Sequence, residues 1–128
     1  MPGAANATRL LVVDDDPVLG MLLTETLHDA GYTVTTRGHG GGLLAVLVRE
    51  QPAAVLLDVM MPDITGLEVL RQMRKAGDPT PVILMSAHLH DPPFLAALGA
   101  QAFLAKPFAQ LTDVTDTVAR VLAERTLR

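Results

Sequence analysis

The stretch Leu10-Leu11-Val12-Val13-Asp14-Asp15-Asp16-Pro17 decides the fold. Four apolar residues in a row, with no alternation, read as a strand buried on both faces, and that is the signature of a parallel sheet covered by helices. The run ends in three carboxylates, of which Asp16 before Pro17 is a helix-capping residue followed by a proline in the first turn. Leu19, Leu22, Leu23, Leu27 and Ala30 then recur at helical spacing until Gly31 stops the helix. A strand followed at once by an amphipathic helix is a βα unit.

The same unit recurs along the chain. Tyr32 to Thr36 has β propensity, a glycine cluster follows, and Leu43 to Glu50 reads as a helix ended by Gln51-Pro52. Ala53 to Leu57 forms a third strand, Met60 to Thr65 a proline-containing loop, and Leu67, Leu70 and Met73 stripe a helix closed by Gly77-Asp78-Pro79. Pro81 to Met85 is the fourth strand and Ala102 to Leu104 a short fifth. Leu111, Val114, Val118, Val121 and Leu122 stripe the last helix. The expected class is α/β, a flavodoxin-like (βα)5 doubly wound parallel five-stranded sheet of order 2-1-3-4-5. Ligands in such sheets sit beyond the carboxyl ends of the strands where the winding reverses, here between strands 1 and 3.

Composition narrows the function. The 128 residues suit one domain, and 49% hydrophobic content is enough for a core without staples. A net charge of −4 gives no basic face for nucleic acid, and the absence of cysteine removes disulfides, thiolate metal sites and thiol catalysis. The start of the chain lacks a signal-peptide pattern, and no apolar run approaches the ~20 residues that cross a bilayer. The expected compartment is the cytoplasm, without membrane insertion.

Strands 1 and 3 end in Asp14-Asp15-Asp16 and Asp58, so carboxylates converge on one rim. Like charges held this close raise each other's pKa unless a cation is present, which marks a site for a hard divalent ion, Mg²⁺ foremost. Strand 4 ends in Ser86 and strand 5 leads to Lys106-Pro107. A carboxylate that accepts a phosphoryl group needs a metal, a cation and a hydroxyl donor on the three equatorial oxygens, and this rim supplies a place for each.

LLVVDDDP (10–17), LLDVMMPDITG (56–66), ILMSAH (83–88) and FLAKPF (103–108), in this order and spacing, resemble the receiver domain of two-component response regulators, in particular the stand-alone chemotaxis-regulator type. The resemblance covers residues 9 to 126. It implies Asp58 as phosphoacceptor, Asp14 and Asp15 as the acidic metal pair, Ser86 as the hydroxyl and Lys106 as the phosphate-binding ammonium on a cis Lys-Pro bond. It further implies Phe103 as a switch aromatic and the Met60 backbone carbonyl as a metal ligand, with the Met60 and His88 side chains tuning hydrolysis. The implied cofactor is Mg²⁺. The implied partners are a sensor histidine kinase or histidine phosphotransfer protein and an unknown output protein, with no direct nucleic acid. Residues 1–8 read as a flexible N-terminal tail and 9–128 as the receiver domain, a phosphoacceptor and not an enzyme beyond self-catalysed phosphotransfer and dephosphorylation.

Plainer readings stand beside these. Asp16 is a helix cap; His28, His39 and His90 are surface histidines; Gly38, Gly40, Gly41 and Gly42 make a loose helix entry, with no Gly-Lys-Ser/Thr of a phosphate loop. Val18 and Met21 are core contacts of the first helix or, off its main stripe, an apolar docking face for a kinase or phosphotransfer helix. Pro92-Pro93 predicts a fourth helix that starts at about Pro93, spans little more than Phe94 to Leu98 and opens easily. Alternative functions are the receiver half of a longer DNA-binding or other effector-linked regulator and, remotely, a haloacid-dehalogenase-like phosphatase using Asp14-x-Asp16. The latter lacks a late acidic pair at a strand end, since Asp113 and Asp116 fall within a helix.

Overall fold

The computed structural model describes residues 8–88 and 92–126. Five strands alternate with five helices: β1 Arg9–Val13, α1 Pro17–Asp29, β2 Thr33–Arg37, α2 Leu43–Glu50, β3 Ala54–Asp58, α3 Gly66–Lys75, β4 Val82–Ser86, α4 Pro92–Ala97, β5 Ala102–Ala105 and α5 Leu111–Thr126. All strand pairs are parallel, in the order β2-β1-β3-β4-β5.

Period-2 alternation sends successive strand residues to opposite faces. Leu11, Val13, Val55, Leu57, Val82 and Leu84 pack under α2, α3 and α4. Leu10, Val12, Leu56, Ile83, Met85 and Leu104 pack under α1 and α5. Because both faces are covered, β3 and β4 are buried throughout, which is why their sequences carry no polar alternation.

Helix starts are set locally. The Asp16 carboxylate accepts from the N–H groups of Val18 and Leu19, with Pro17 at the first helical position, as expected from the sequence. Thr65 caps α3 by accepting from the Glu68 N–H. The C-terminal end of α3 is held by a longer-range device: the Arg74 guanidinium donates to the carbonyls of Gly99 and Asp78 and to the Gln101 amide oxygen. Gln101 in turn accepts from the Val82 N–H, so α3, the α4–β5 turn and the start of β4 are tied together.

Several expectations are corrected. Leu22 is 41% exposed and Ala30 is exposed, while Gly20, Leu23 and Leu27 are the buried positions of α1; the stripe is narrower because α1 lies over the sheet edge beside a groove. Leu111 likewise is more than a third exposed, since it opens the last helix beyond the sheet rim. Thr8 is not part of a loose tail, for its carbonyl accepts from the Thr33 N–H; residues 1–7 lie outside the described residues. α4 is short, six residues, but begins at Pro92, one residue earlier than expected, because proline is tolerated where the first-turn N–H groups have no intrahelical partner. The glycine-rich entry to α2 is clasped, not loose: Gly40 and Gly41 donate to the Asp63 carboxylate, at 3.4 and 2.9 Å.

Candidate functional site

The register builds the site. Val13 pairs with Leu57, so Asp14 and Asp58 emerge side by side from β1 and β3 at the point where the winding reverses. Asp58 pairs with Met85 and Ser86 with Ala105, which extends the same edge to Ser86 and Lys106. Asp14, Asp58 and Ser86 are all buried.

Lys106 closes the cluster across the sheet. Its Nζ lies 2.6 Å from Asp14 Oδ2 and 3.1 Å from Asp58 Oδ1, and the Lys106–Pro107 peptide is cis. Burial pushes the Asp58 carboxyl above its ordinary pKa, and the Asp14 charge adds to this; the Lys106 ammonium and the Met60 backbone N–H oppose the rise without cancelling it. Burial alone would depress the Lys106 ammonium, but hydrogen bonds and charge from Asp14 and Asp58 outweigh it and raise the pKa. Lys106 is therefore a fixed cation and Asp58 a carboxylate held at a cost.

Asp14 has both oxygens engaged, one by Lys106 and one by the Asp16 N–H at 2.9 Å. Asp15 is exposed, and among the described residues no hydrogen bond or ion pair reaches its side chain. One carboxylate oxygen from each of Asp14, Asp15 and Asp58 lies within 4.8 Å of the others, an all-oxygen donor set of the kind a hard divalent cation takes. Among the described residues no histidine shares this cluster. Ser86 Oγ accepts from the His88 N–H at 3.0 Å, which leaves the hydroxyl proton for another acceptor.

Around the rim, Met60 is 56% exposed and His88 is exposed, while Phe103 is half-buried against the core. Val18 and Met21 are 74% and 66% exposed, which rules out the core-contact reading for both. Met21 lines an open groove of about 540 Å³ that begins at Asp14 and Asp15. His28 and His39 are exposed, and His90 lies outside the described residues. Asp16 turns to its own helix, so Asp14-x-Asp16 does not present the paired acids of a dehalogenase-like phosphatase.

Two structural residues escaped the sequence reading. Asp63 is held below the ordinary carboxylate range: its slight desolvation would raise it, but the N–H groups of Gly41, Gly40, Ile64 and its own backbone prevail. Its only sequence signal is a Pro-Asp pair in a loop, which fits any turn. Arg74 reads in sequence as a solvated helix charge.

A doubly wound sheet with an acidic rim, a half-buried lysine and a buried hydroxyl defines a receiver-type phosphoacceptor fold. Residues 10–119 match the response regulator receiver domain model, and the chain belongs to that family. It is 41% identical over 105 residues to the response regulator MprA of Mycobacterium ulcerans, a match that covers 80% of this chain and 45% of that protein. The chain thus spans about half the length of the curated relatives it matches. Among solved structures, the chemotaxis protein CheY4 of Vibrio cholerae superposes with a TM-score of 0.80 at 30% identity, covering 90% of this chain and 98% of that one. The response regulator TrrA of Thermotoga maritima, solved in complex with Mg²⁺-BeF, gives 0.79 at 32% identity, covering 89% and 98%. Receiver domains are signalling phosphoacceptors and not enzymes in the usual sense. Among the described residues no helix is long and apolar enough to cross a membrane.

Proposed function

We propose that Asp58 accepts a phosphoryl group from the phosphohistidine of a sensor kinase or histidine phosphotransfer protein, and that this switches the domain toward an output partner in the cytoplasm. The observation that carries the reading is the buried Asp58 carboxylate bridged to Asp14 by Lys106. A carboxylate oxygen of Asp58 forms the new P–O bond as the donor P–N bond breaks, leaving an acyl phosphate. Burial keeps Asp58 poorly solvated and hence nucleophilic, while Lys106 holds it ionised and in place.

Mg²⁺, when bound, would neutralise the carboxylates and the charge that develops on the phosphoryl oxygens. Asp15 and Asp58 offer it the freest oxygens, Asp14 supports it, and the Met60 carbonyl is the expected backbone ligand. Lys106 contacts a second phosphoryl oxygen and the Ser86 hydroxyl donates to a third. Phe103, half-buried on β5 three residues before Lys106, moves inward as Ser86 is drawn to the phosphoryl group, a shift between two packings. Loss of the phosphoryl group is self-catalysed hydrolysis, tuned by the Met60 and His88 side chains at the mouth.

The exposed Val18 and Met21, with a groove of about 510 Å³ between Leu19 and Leu22 of α1 and the residues from Lys106 to Leu111, give a phosphotransfer helix an apolar seat beside Lys106. Because the relatives are about twice as long, an attached effector domain is the second reading of the output. Intact-mass analysis after acetyl phosphate and Mg²⁺ should show one phosphoryl group on the wild type and none on Asp58→Asn. Undiminished labelling of that variant would refute the assignment.

A further inference from the structure

The loop that follows β3 is fixed at two points. At its base the Gly66 N–H donates to the Val59 carbonyl at 2.8 Å, which closes residues 59–66 into an arc. At its tip the Asp63 carboxylate accepts from the Gly41 and Gly40 N–H groups of the loop after β2, at 2.9 and 3.4 Å. Met60 lies between the two points, with its backbone N–H on the Asp58 carboxylate.

The same glycine loop reaches the other side of the rim. The Gly41 carbonyl accepts from the Arg37 guanidinium at 2.9 Å, and the Arg37 carbonyl accepts from the Asp14 N–H at 3.0 Å. Gly41 therefore joins Asp14, after β1, to the arc that leaves Asp58, by a route that does not pass through Lys106. Packing reinforces the join. A Cβ on the buried Gly40 would meet Ile64 Cγ2 at 2.7 Å, Val69 Cγ2 at 3.0 Å and Met61 Cε at 3.1 Å, so the two loops close on each other only because this position carries no side chain.

We propose that Asp63 is a positioning residue for the Mg²⁺ site, acting through its clasp on Gly41 to hold the Met60 carbonyl and the Asp14 carboxylate at the spacing a divalent cation needs. This rests on the reading of the acidic rim as a Mg²⁺ site. Asp63 is not among the carboxylates that converge on that rim, so it acts through the clasp and not as a ligand. Mg²⁺ demands near-octahedral geometry, and an arc free to pivot about the Val59–Gly66 hydrogen bond loses affinity although every ligand is still present. The Asp63 bond to Gly41 is exposed and adds little to stability, whereas the Arg74 ties to Gly99 and Asp78 are partly buried. The two residues should therefore rank in opposite orders in stability and in metal affinity.

The experiment measures Mg²⁺ affinity by calorimetric titration, and the melting temperature without metal, on the full chain and four variants. Asp63→Ala should weaken Mg²⁺ binding by about tenfold, the lower end of the loss when a group that orients a metal ligand is removed. Asp63→Asn removes the same charge but keeps a carbonyl oxygen for the Gly41 N–H, so it should recover most of that loss. Gly40→Ala keeps the Asp63 carboxylate and wedges the loops apart, so it should weaken Mg²⁺ as Asp63→Ala does. Arg74→Met should lower the melting temperature more than Asp63→Ala and leave Mg²⁺ affinity at the wild-type value. Wild-type affinity in Asp63→Ala or Gly40→Ala would overturn the proposal, as would an Arg74→Met loss of affinity as large as that of Asp63→Ala. Equal losses in Asp63→Ala and Asp63→Asn would also overturn it, because charge alone would then account for the effect. A wild type that takes no Mg²⁺ would fell the metal reading itself, and the positioning role with it.

Discussion

Gly66 tests how tightly the phosphoacceptor strand is positioned. A Cβ at Gly66 would lie 2.2 Å from the Asp58 carbonyl oxygen and 3.0 Å from the Val59 Cα, both backbone atoms that cannot rotate away. The Gly66 N–H also donates to the Val59 carbonyl at 2.8 Å, which pins the first turn of α3 onto the end of β3. Gly66→Ala must therefore push α3 and Asp58 apart by about 1.2 Å to restore an ordinary contact. Overpacking of this kind costs about 2 kcal/mol, or roughly 8 °C in Tm for a domain of this size. A displacement near 1 Å at the nucleophile should slow phosphorylation by about 100-fold. The assay pairs thermal melts with the initial rate of labelling by acetyl phosphate and Mg²⁺. Gly20→Ala is the companion, because nothing lies within 4 Å of its Cβ on α1; the helical alanine should stabilise by about 0.5–1 kcal/mol. A Gly66→Ala protein with the Tm and labelling rate of the wild type would refute the close-approach argument.

Three other outcomes are expected. Burial raises the Asp58 pKa above 3.8, so the folded state holds a proton that the unfolded chain has released; stability falls as pH climbs from below 3.8 through the raised value and stays lower above it. Asp58→Asn removes that charge and should melt higher than wild type at pH 7, with the gap closing below about pH 4; a gap that widens in acid would contradict the sign. Mg²⁺ at about ten times its dissociation constant should stabilise the wild type by about 1.4 kcal/mol by linkage, and Asp15→Ala should lose this more completely than Asp14→Ala in calorimetric titration. Arg74→Met leaves the Gly99 and Asp78 carbonyls without their charged donor, so it should cost about 2 kcal/mol and speed amide exchange in residues 92–99 more than in β3; uniform exchange across both segments would show that the tie is not local.

The sheet and most of its rim are legible in the order of residues, since the information is local. Unbroken apolar runs at 10–13 and 82–85 can only be strands covered on both faces, and Asp14, Asp58, Ser86 and Lys106 stand at the ends of such runs, where a doubly wound sheet must gather them. The shortness of α4 is equally local, written in Pro92-Pro93 and Gly99. Choices among equivalent partners far apart in the chain belong to the tertiary structure. Which carboxylate takes Lys106 more closely depends on a contact across 92 residues. The Asp63 clasp on Gly41 spans 22 residues and the Arg74 tie to Gly99 spans 25, and neither has a periodic or motif signal. The spacing put Leu22 and Leu111 on apolar stripes and left Met21 open, for a related reason: hydrophobic spacing says which side of a helix faces inward but not where the sheet beneath it ends. Sequence patterning determines each element and the edge its polar residues reach, while the packed geometry alone decides which of several like groups at that edge are paired, buried or left open to solvent.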